Sequence, residues 1–569
     1  MTPDELERRL GDPYDAASPH GFAAAVARDE QDAFPEELCA VLRETGFHLN
    51  HLPPEWGGRF TSFDETMLLV RTAARRDLNV MPATMFGITA ATCLALHGSP
   101  EQQKYAAEIL ARGGAVGFAL SESAHGSDLL ANTARLEPAE YGWELTGEKW
   151  MVGLGRRCEA VYLVARTGGR GPGAFTAVLL DLTQGEGLTR SPAVPASGMR
   201  GIDFAHLRFD RFPVPADALV GQEGQALESV LKAQQVVRVM SMAGSLGIAD
   251  TALRLTLDFA ADRRVGRTTV LDSPYPRREL AIASAAALAA DATALAASRG
   301  IHVAPETFSI WGCAAKHVVA ESTEEVLRRC GAVLATRAVL RTEGPGGGLF
   351  QKLQRDAAIV RVVDTSTLAN LRSFASQLPQ IFRGVGHDIE RLRRVGATSP
   401  HAPEAKERIR TLFDLREPLP PYDPRRLDLN ARGQDPVTAA LPHVAPEALA
   451  RLTAQGDHPT AHLVTRLVAT VAALPAQLTE ADRNTGLIDL AETFTWLHAA
   501  ASCLHLWWAN EENPFFTVAW LQATLAHLLA RADGTDPRRE GPAQLPALDI
   551  TTDLHHHDQL FSALPVHLA

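Results

Sequence analysis

The sequence predicts a mainly α-helical protein with a central antiparallel β-domain and a further helical region toward its C-terminal end. Three observations carry this reading. Apolar residues recur at three- and four-residue intervals through 1–115, the period shortens to two over 116–223, and the helical period returns from 224. At 569 residues the chain exceeds what one compact core supports, so several structural units are expected. They are a helical domain (1–115), a β-domain (116–223), a helical bundle (224–394), a linker (395–436) and a C-terminal helical domain (437–569).

The first domain reads as helices at Glu36–Arg43, Phe63–Arg76 and Glu101–Arg112, with Ser99-Pro100-Glu101 as a helix start and Pro53-Pro54 opening a rigid turn. In the β-domain, Trp143–Trp150, Ala160–Arg166, Phe175–Asp181 and His206–Asp210 alternate or run apolar between Gly/Pro turns. Ala281–Ala297 is so rich in Ala and Leu that it reads as a helix buried on more than one face. Seven prolines between 400 and 436 mark the linker, and strongly apolar helices follow at Leu463–Leu474 and Leu487–Trp508.

Bulk composition excludes several classes. A hydrophobic content of 46% with 21% charged residues fits a soluble globular protein. The net charge of −12 opposes broad nucleic-acid or anionic-membrane binding. Six cysteines without a Cys-x-x-Cys pair suit a reducing cytoplasm and suggest neither disulfides nor a zinc cluster. The N-terminal stretch has no apolar core of a signal peptide, and no apolar run is expected to span a bilayer.

The stretch Phe118 to Asp128 joins an apolar strand to a turn of small polar residues, a combination that brings backbone amides close to a flat, anionic ligand. Gly147-Glu148-Lys149-Trp150-Met151-Val152-Gly153 follows as a paired strand. Then come Gly198-Met199-Arg200-Gly201 and Phe209-Asp210-Arg211-Phe212-Pro213-Val214-Pro215. With these in their order, the chain from about residue 20 to 390 resembles the acyl-CoA dehydrogenase family of flavoproteins. The resemblance implies an α-bundle, a β-barrel or sandwich and a second α-bundle, with FAD as cofactor and an acyl thioester as substrate.

Carried over by position, the resemblance places Phe118, Leu120, Ser121, Gly126 and Ser127 at the flavin, Ser121 standing for a threonine. Met151 and Gly153 take the places of a flavin-backing Trp and a Thr, and Trp150 is an alternative aromatic face. That register, with Ala131-Asn132-Thr133, is similar to the DNA-alkylation-response branch of the family. Arg263, with Arg264 as an alternative, matches an arginine that reaches the FAD pyrophosphate of a partner subunit. Gly331 lies where the family passes close to the adenosine, with fewer glycines here, and Ser366 closes the run that carries the base. Asp364 takes the place of the family's catalytic glutamate, one methylene shorter, and Val237, at the other place where members keep a base, cannot serve.

The resemblance implies oxidation at Cα–Cβ, with Asp364 removing the α-proton and flavin N5 accepting the hydride. Two alternatives stay open: a specialised-metabolism enzyme coupling oxidation to decarboxylation or oxygenation, and a non-catalytic or DNA-associated flavin binder. The implied partners are a CoA or acyl-carrier-protein thioester and, as electron acceptor, an electron-transfer flavoprotein or O2. Very-long-chain members carry an extra helical domain that replaces two subunits of the usual tetramer, which here implies a homodimer.

Other features read as structural. The glycine-rich run 343–348 lacks the Lys-Ser/Thr and preceding strand of a phosphate loop and reads as an insertion. His555-His556-His557 reads as a solvated tail and not a metal site, His125 as solvent-facing or near flavin phosphate, and Trp507, Trp508 and Trp520 as core or interface.

Overall fold

Runs of β-branched and aromatic residues between glycine turns form the sheet, and long alanine- and leucine-rich stretches form helices on either side of it in sequence. The computed structural model describes residues 1–140, 142–183, 186–341, 347–363, 365–383, 402–480 and 485–569. The chain divides into two compact units. One comprises Met1–Thr61, Leu68–Met240 and Thr342–Ile359, and the other Ser62–Met67, Ser241–Arg341 and Val360–Ala569.

The first unit contains the β-domain. Its strands are β1 (Val116–Ala119), β2 (Arg135–Ala139), β3 (Gly142–Gly153), β4 (Ala160–Arg166), β5 (Phe175–Asp181), β6 (Leu188–Arg190), β7 (Phe204–Pro215) and β8 (Leu219–Val220). They pair in the order β6-β7-β3-β2-β4-β5-β8, with β1 added on β4. Pairing is antiparallel as expected, except that β1 runs parallel to β4 (Phe118 opposite Tyr162) and β2 meets β4 in parallel at a single pair. Period-two patterning cannot show this, because strand direction is decided by the route of the chain.

Inward residues of β3, β4, β5 and β7, among them Leu145, Val161, Leu163, Val178, Leu207 and Phe209, form one apolar core. The opposite faces of β4 and β5, through Tyr162, Val164 and Phe175, pack with Ala90, Leu94 and Ile109 of the helical part. The helix Pro100–Ala111 begins as expected. Ser99 Oγ accepts from Gln102 N at 3.2 Å, and the Gln102 side chain accepts from Ser99 N at 3.0 Å, a reciprocal cap.

In the second unit the helix Pro274–Val303 has its residues from Glu279 to His302 buried. It packs along Phe308–Leu334, Gly486–Ala509, Val518–Ala532 and Gly541–His556, which explains its small side chains on every face. The proline-rich stretch holds a helix, Ala402–Phe413, and is fastened to Pro274–Val303 by a buried guanidinium. Arg299 donates to the carbonyls of Leu412, Asp414 and Glu417, each at 2.9 Å. Alongside it, His302 links Phe63 N–H (3.0 Å) and Pro420 O (2.9 Å).

Four segments among the described residues are long and apolar enough to cross a membrane, contrary to the expectation that none is: Val80–His97, Ala226–Asp262, Pro274–Val303 and His458–Glu480. Interrupting polar residues break the continuous runs without lowering the average below that of a span. The apolar windows of the second and third are 94% and 100% buried in protein, so packing accounts for their composition. That of His458–Glu480 is 28% buried. Of the histidine run, His556 and His557 are exposed, as read, but the run ends the helix Gly541–His556 and the His555 ring sits 2.8 Å from Asp258 Oδ1 and 3.1 Å from the Arg254 guanidinium. Trp507 and Trp520 are buried, as core residues should be.

Candidate active site

The strand β1 ends in a turn whose shape is set by one buried carboxylate. Glu122, 6% exposed, accepts from Thr133 N (2.7 Å), Thr133 Oγ1 (2.9 Å), Ala134 N (2.9 Å) and Lys149 Nζ (3.0 Å). Lys149 is fully buried and also donates to Leu120 O at 3.0 Å, beside Asn132 Nδ2 at 2.9 Å. Burial pushes the Glu122 carboxyl up, but the Lys149 ammonium and the two amides outweigh it and hold it below its usual range. Burial lowers the Lys149 ammonium, and its attraction to Glu122 only partly offsets this. The carboxylate of Glu122 is therefore spent on the fold and unavailable to a ligand.

Around this anchor the chain turns back at His125 and Gly126, both of whose amides donate to Glu122 O. Gly126 adopts φ +54°, and a Cβ there would meet nothing within 4 Å, so the turn is open on that side. Ser121 is half-buried and Ser127 exposed, and neither hydroxyl has a protein hydrogen-bond partner among the described residues. Phe118 stacks on Tyr162 (6.0 Å, 14°), and Leu120 is buried. The turn presents hydroxyls and keeps the Glu122 carboxylate inside.

Next to it, β3 is irregular. Lys149 pairs with Leu207 but Val152 with Ala205, so a bulge at Trp150 and Met151 opposes His206. Met151 takes φ +53°, and its N–H donates to His206 Nδ1 at 3.3 Å. The Trp150 N–H donates to Ser121 O at 2.9 Å, tying the bulge to the turn. The Trp150 ring, 39% exposed, stacks on the His206 imidazole at 6.3 Å and 15°. With Nδ1 accepting, neutral His206 carries its proton on Nε2. The sequence reading missed His206; its signal was the outward alternation of His206, Arg208 and Asp210 along β7. Gly153, paired with Phe204, closes the strand.

The loop Ser197–Gly201 is held within the same unit. Met199 N donates to Asp356 Oδ1 (2.6 Å), and Lys352 Nζ bridges Asp356 (2.6 Å) and Asp77 (3.0 Å), all three side chains being buried. These residues form an anchor that the sequence reading did not anticipate.

The remaining site residues lie in the second unit. Arg263 follows the helix Ala226–Asp262 and is exposed, as is Arg264 on the hairpin Arg264–Val265/Thr268–Thr269. Gly331 is half-buried inside the last turns of the helix Phe308–Leu334. Ser366 caps the helix Thr367–Ala375, its Oγ accepting from Ala369 N at 3.3 Å. Asp364 lies outside the described residues, as does the glycine-rich run up to residue 346. Just ahead of Asp364 in sequence, the buried Lys316 ammonium donates to Val360 O at 2.7 Å and Val363 O at 3.3 Å. It fastens the C-terminal end of the helix Leu349–Val362.

A mostly antiparallel sheet with an open polar turn, set in sequence between two helical parts, defines the class of fold. Family models match it in the same order: the acyl-CoA dehydrogenase N-terminal domain over residues 19–114, the middle domain over 117–212 and the C-terminal domain over 225–367. The chain belongs to the acyl-CoA dehydrogenase family. It is 29% identical over 249 residues to probable acyl-CoA dehydrogenase FadE25 of Mycobacterium tuberculosis, covering 43% of this chain and 63% of that protein. It is 30% identical over 266 residues to 3-sulfinopropanoyl-CoA desulfinase of Paraburkholderia xenovorans, covering 45% and 66%. The chain thus spans a little under two thirds of the length of these curated relatives. Among solved structures, an acyl-CoA dehydrogenase complexed with FAD from Bacillus anthracis superposes with a TM-score of 0.65 at 16% identity, over 98% of this chain and 97% of that one. The fold likeness therefore includes the C-terminal helices. The prolyl acyl carrier protein oxidase AnaB gives 0.57 at 18% identity, over 62% and 93%.

Proposed function

We propose that this chain binds FAD against the turn after β1 and the outer face of β3, and oxidises an acyl thioester at Cα–Cβ. The observation that supports this reading is the division of labour in the turn. Glu122, Asn132 and Lys149 are consumed in holding the backbone, while the hydroxyls of Ser121 and Ser127 are left free beside an exposed aromatic face. Such a surface fits a flat ring with polar edges. Bound there, FAD would supply the hydride acceptor that the chain's own side chains lack.

The other roles follow from chemistry and position. Ser121 and Ser127 would each donate to and accept from polar edges of the flavin. Trp150, stacked on His206, would offer the aromatic backing in place of Met151. The exposed guanidinium of Arg263 suits a diphosphate, and in a homodimer that diphosphate would be the partner's. Asp364 would accept the α-proton, with Lys316 fixing the carbonyls of Val360 and Val363 immediately before it. The O–H of Ser366 remains free to donate while its oxygen caps a helix. An electron-transfer flavoprotein or O2 would reoxidise the flavin.

A second reading is supported by two of the similar proteins. One is a desulfinase of a CoA thioester and one an oxidase of a carrier-bound prolyl group, so the same scaffold serves other outcomes. The experiment is anaerobic titration of the yellow protein with CoA and carrier-protein thioesters, followed by mass spectrometry of products with and without O2. Bleaching with an enoyl product supports the dehydrogenase. Loss of CO2, or gain of an oxygen atom, moves the assignment to the second reading. FAD binding without reduction by any thioester overturns both. Asp364→Asn tests the base, since unchanged flavin reduction would remove Asp364 from the reaction.

A further inference from the structure

We infer that neutral His206 is a positioning residue that holds the bulge of β3 beside the open turn, so that a proton taken up by its imidazole weakens FAD binding. The consequence for FAD rests on the reading above. The coupling of imidazole to bulge rests on the geometry of this chain alone.

The bulge needs a support of this kind. Met151 holds φ +53°, a conformation that residues with a side chain rarely adopt, and the β3–β7 register breaks between Lys149 and Val152, so its amide stands outside the regular ladder. The place of a ladder acceptor is taken by His206 Nδ1, 3.3 Å from Met151 N. The imidazole is delivered from a fixed backbone: His206 N donates to Ser191 Oγ and Ser191 N to His206 O, each at 2.9 Å. One residue back, the Trp150 ring lies along the imidazole at 15°, and the Trp150 amide donates to Ser121 O at 2.9 Å. Imidazole, bulge and the hydroxyl-bearing turn are thus joined by an unbroken series of contacts.

An added proton goes to Nδ1, because Nε2 already carries one. Nδ1–H would then face Met151 N–H, donor against donor, and the bulge amide would lose its acceptor. The imidazolium would gain nothing in return, since His206 forms no ion pair among the described residues. The charged groups around it are engaged or turned elsewhere. On β3, Lys149 points inward to Glu122, and Glu148 stands opposite Arg208. On β6, Arg190 donates to the carbonyls of Gly155, Arg156, Cys158 and Leu182. Asp210, further along β7, is exposed, as is Asp128 in the turn, where His125 is the other imidazole. Binding that needs neutral His206 is therefore full above the range in which imidazoles take up a proton and is lost as pH falls through it.

Two measurements on the full-length protein test this. With isotope-labelled methionine, the Met151 amide resonance, assigned by its loss in Met151→Leu, should shift as pH falls from about 8 to about 5.5. His206→Asn puts an acceptor oxygen near the Nδ1 position and takes up no proton, so its Met151 resonance should stay in place. Wild-type affinity for FAD should fall roughly three- to tenfold over the same window, the equilibrium value of one hydrogen bond. His206→Asn should bind as the wild type does at the upper end and lose the pH dependence. His206→Phe, a ring without the acceptor, should bind weakly at every pH, and His125→Gln should keep the wild-type profile. An unshifted Met151 resonance, a wild-type profile in His206→Asn, strong binding by His206→Phe, or a profile lost in His125→Gln overturns the inference. So does affinity that rises on acidification, as attraction between an imidazolium and the diphosphate would give. A protein that takes up no FAD at any pH overturns the flavin reading instead, and the Met151 resonance still decides whether His206 holds the bulge.

Discussion

Lys149→Met should weaken the β-domain more than a surface change of the same size, and in a pH-dependent way. The substitution keeps the length and apolar stem but deletes the ammonium that faces Glu122 and Leu120 O. Removing one partner of a buried ion pair costs about 3–5 kcal/mol, because the other charge is left without compensation. Glu122 keeps three donors from Thr133 and Ala134, so the lower end, about 3 kcal/mol, is expected. In the wild type the carboxyl is held below its usual range, so the stability it brings is present above that range and lost only as pH falls through its folded value. In Lys149→Met, burial without the ammonium raises the carboxyl, and the slope reverses: stability increases as pH falls from neutrality toward about 5. Urea unfolding at several pH values, read by tryptophan fluorescence together with flavin release, measures both terms. Glu122→Gln/Lys149→Met should recover most of the loss, since it leaves no unpaired charge. A Lys149→Met protein within about 0.5 kcal/mol of wild type at neutral pH would refute the reasoning. So would a double variant no better than the single one.

Other outcomes follow from the second unit. Lys316→Met should lower the rate of flavin reduction by roughly tenfold or more while FAD content holds, because it frees the carbonyls ahead of Asp364; stopped-flow reduction reads this. Burial pushes His505 and His527 down to about 4 each. Such groups bring stability that is present above the unfolded histidine value and lost as pH falls toward the folded one. Acidification to about pH 5 should therefore cost the C-terminal helices about 2 kcal/mol per histidine, and His527→Leu should flatten the pH dependence of hydrogen exchange there. Arg299→Met should leave the carbonyls of Leu412 and Glu417 without their Arg299 donor, Asp414 O keeping the Glu417 amide, and make residues near 411–420 the first site of limited proteolysis.

Much of the fold was legible because its signals are local. The Ser99-Pro100 start became a reciprocal cap, the alternating runs at 143–150, 160–166 and 175–181 became β3, β4 and β5, and Ala281–Ala297 proved buried on all sides. Motif order placed the turn after β1 and its hydroxyls. What escaped was set by partners distant in sequence. Nothing in the local sequence marks Glu122 as a structural anchor; its partners Lys149 and Thr133 lie 27 and 11 residues away. The bulge that turns Met151 and Trp150 toward His206 depends on the pairing of β3 with β7. Prolines between 400 and 436 signalled a loop, yet Arg299, more than a hundred residues earlier, binds that stretch to a helix.

The helix Pro274–Val303 presents similar small apolar residues in every direction, so hydrophobicity alone leaves its rotation and its position along its own axis undetermined. Its few charged residues remove that freedom. Glu279 pairs with Arg329 at 2.6 Å and Arg538 at 3.2 Å, Asp291 accepts from Ala563 N at 3.0 Å, and Arg299 reaches the carbonyls after residue 410. Slipping the helix by one residue would swing each of these groups by about 100° and bury it unpaired, at several kcal/mol apiece. The buried charges thus act as alignment marks that select one arrangement among packings of nearly equal apolar content.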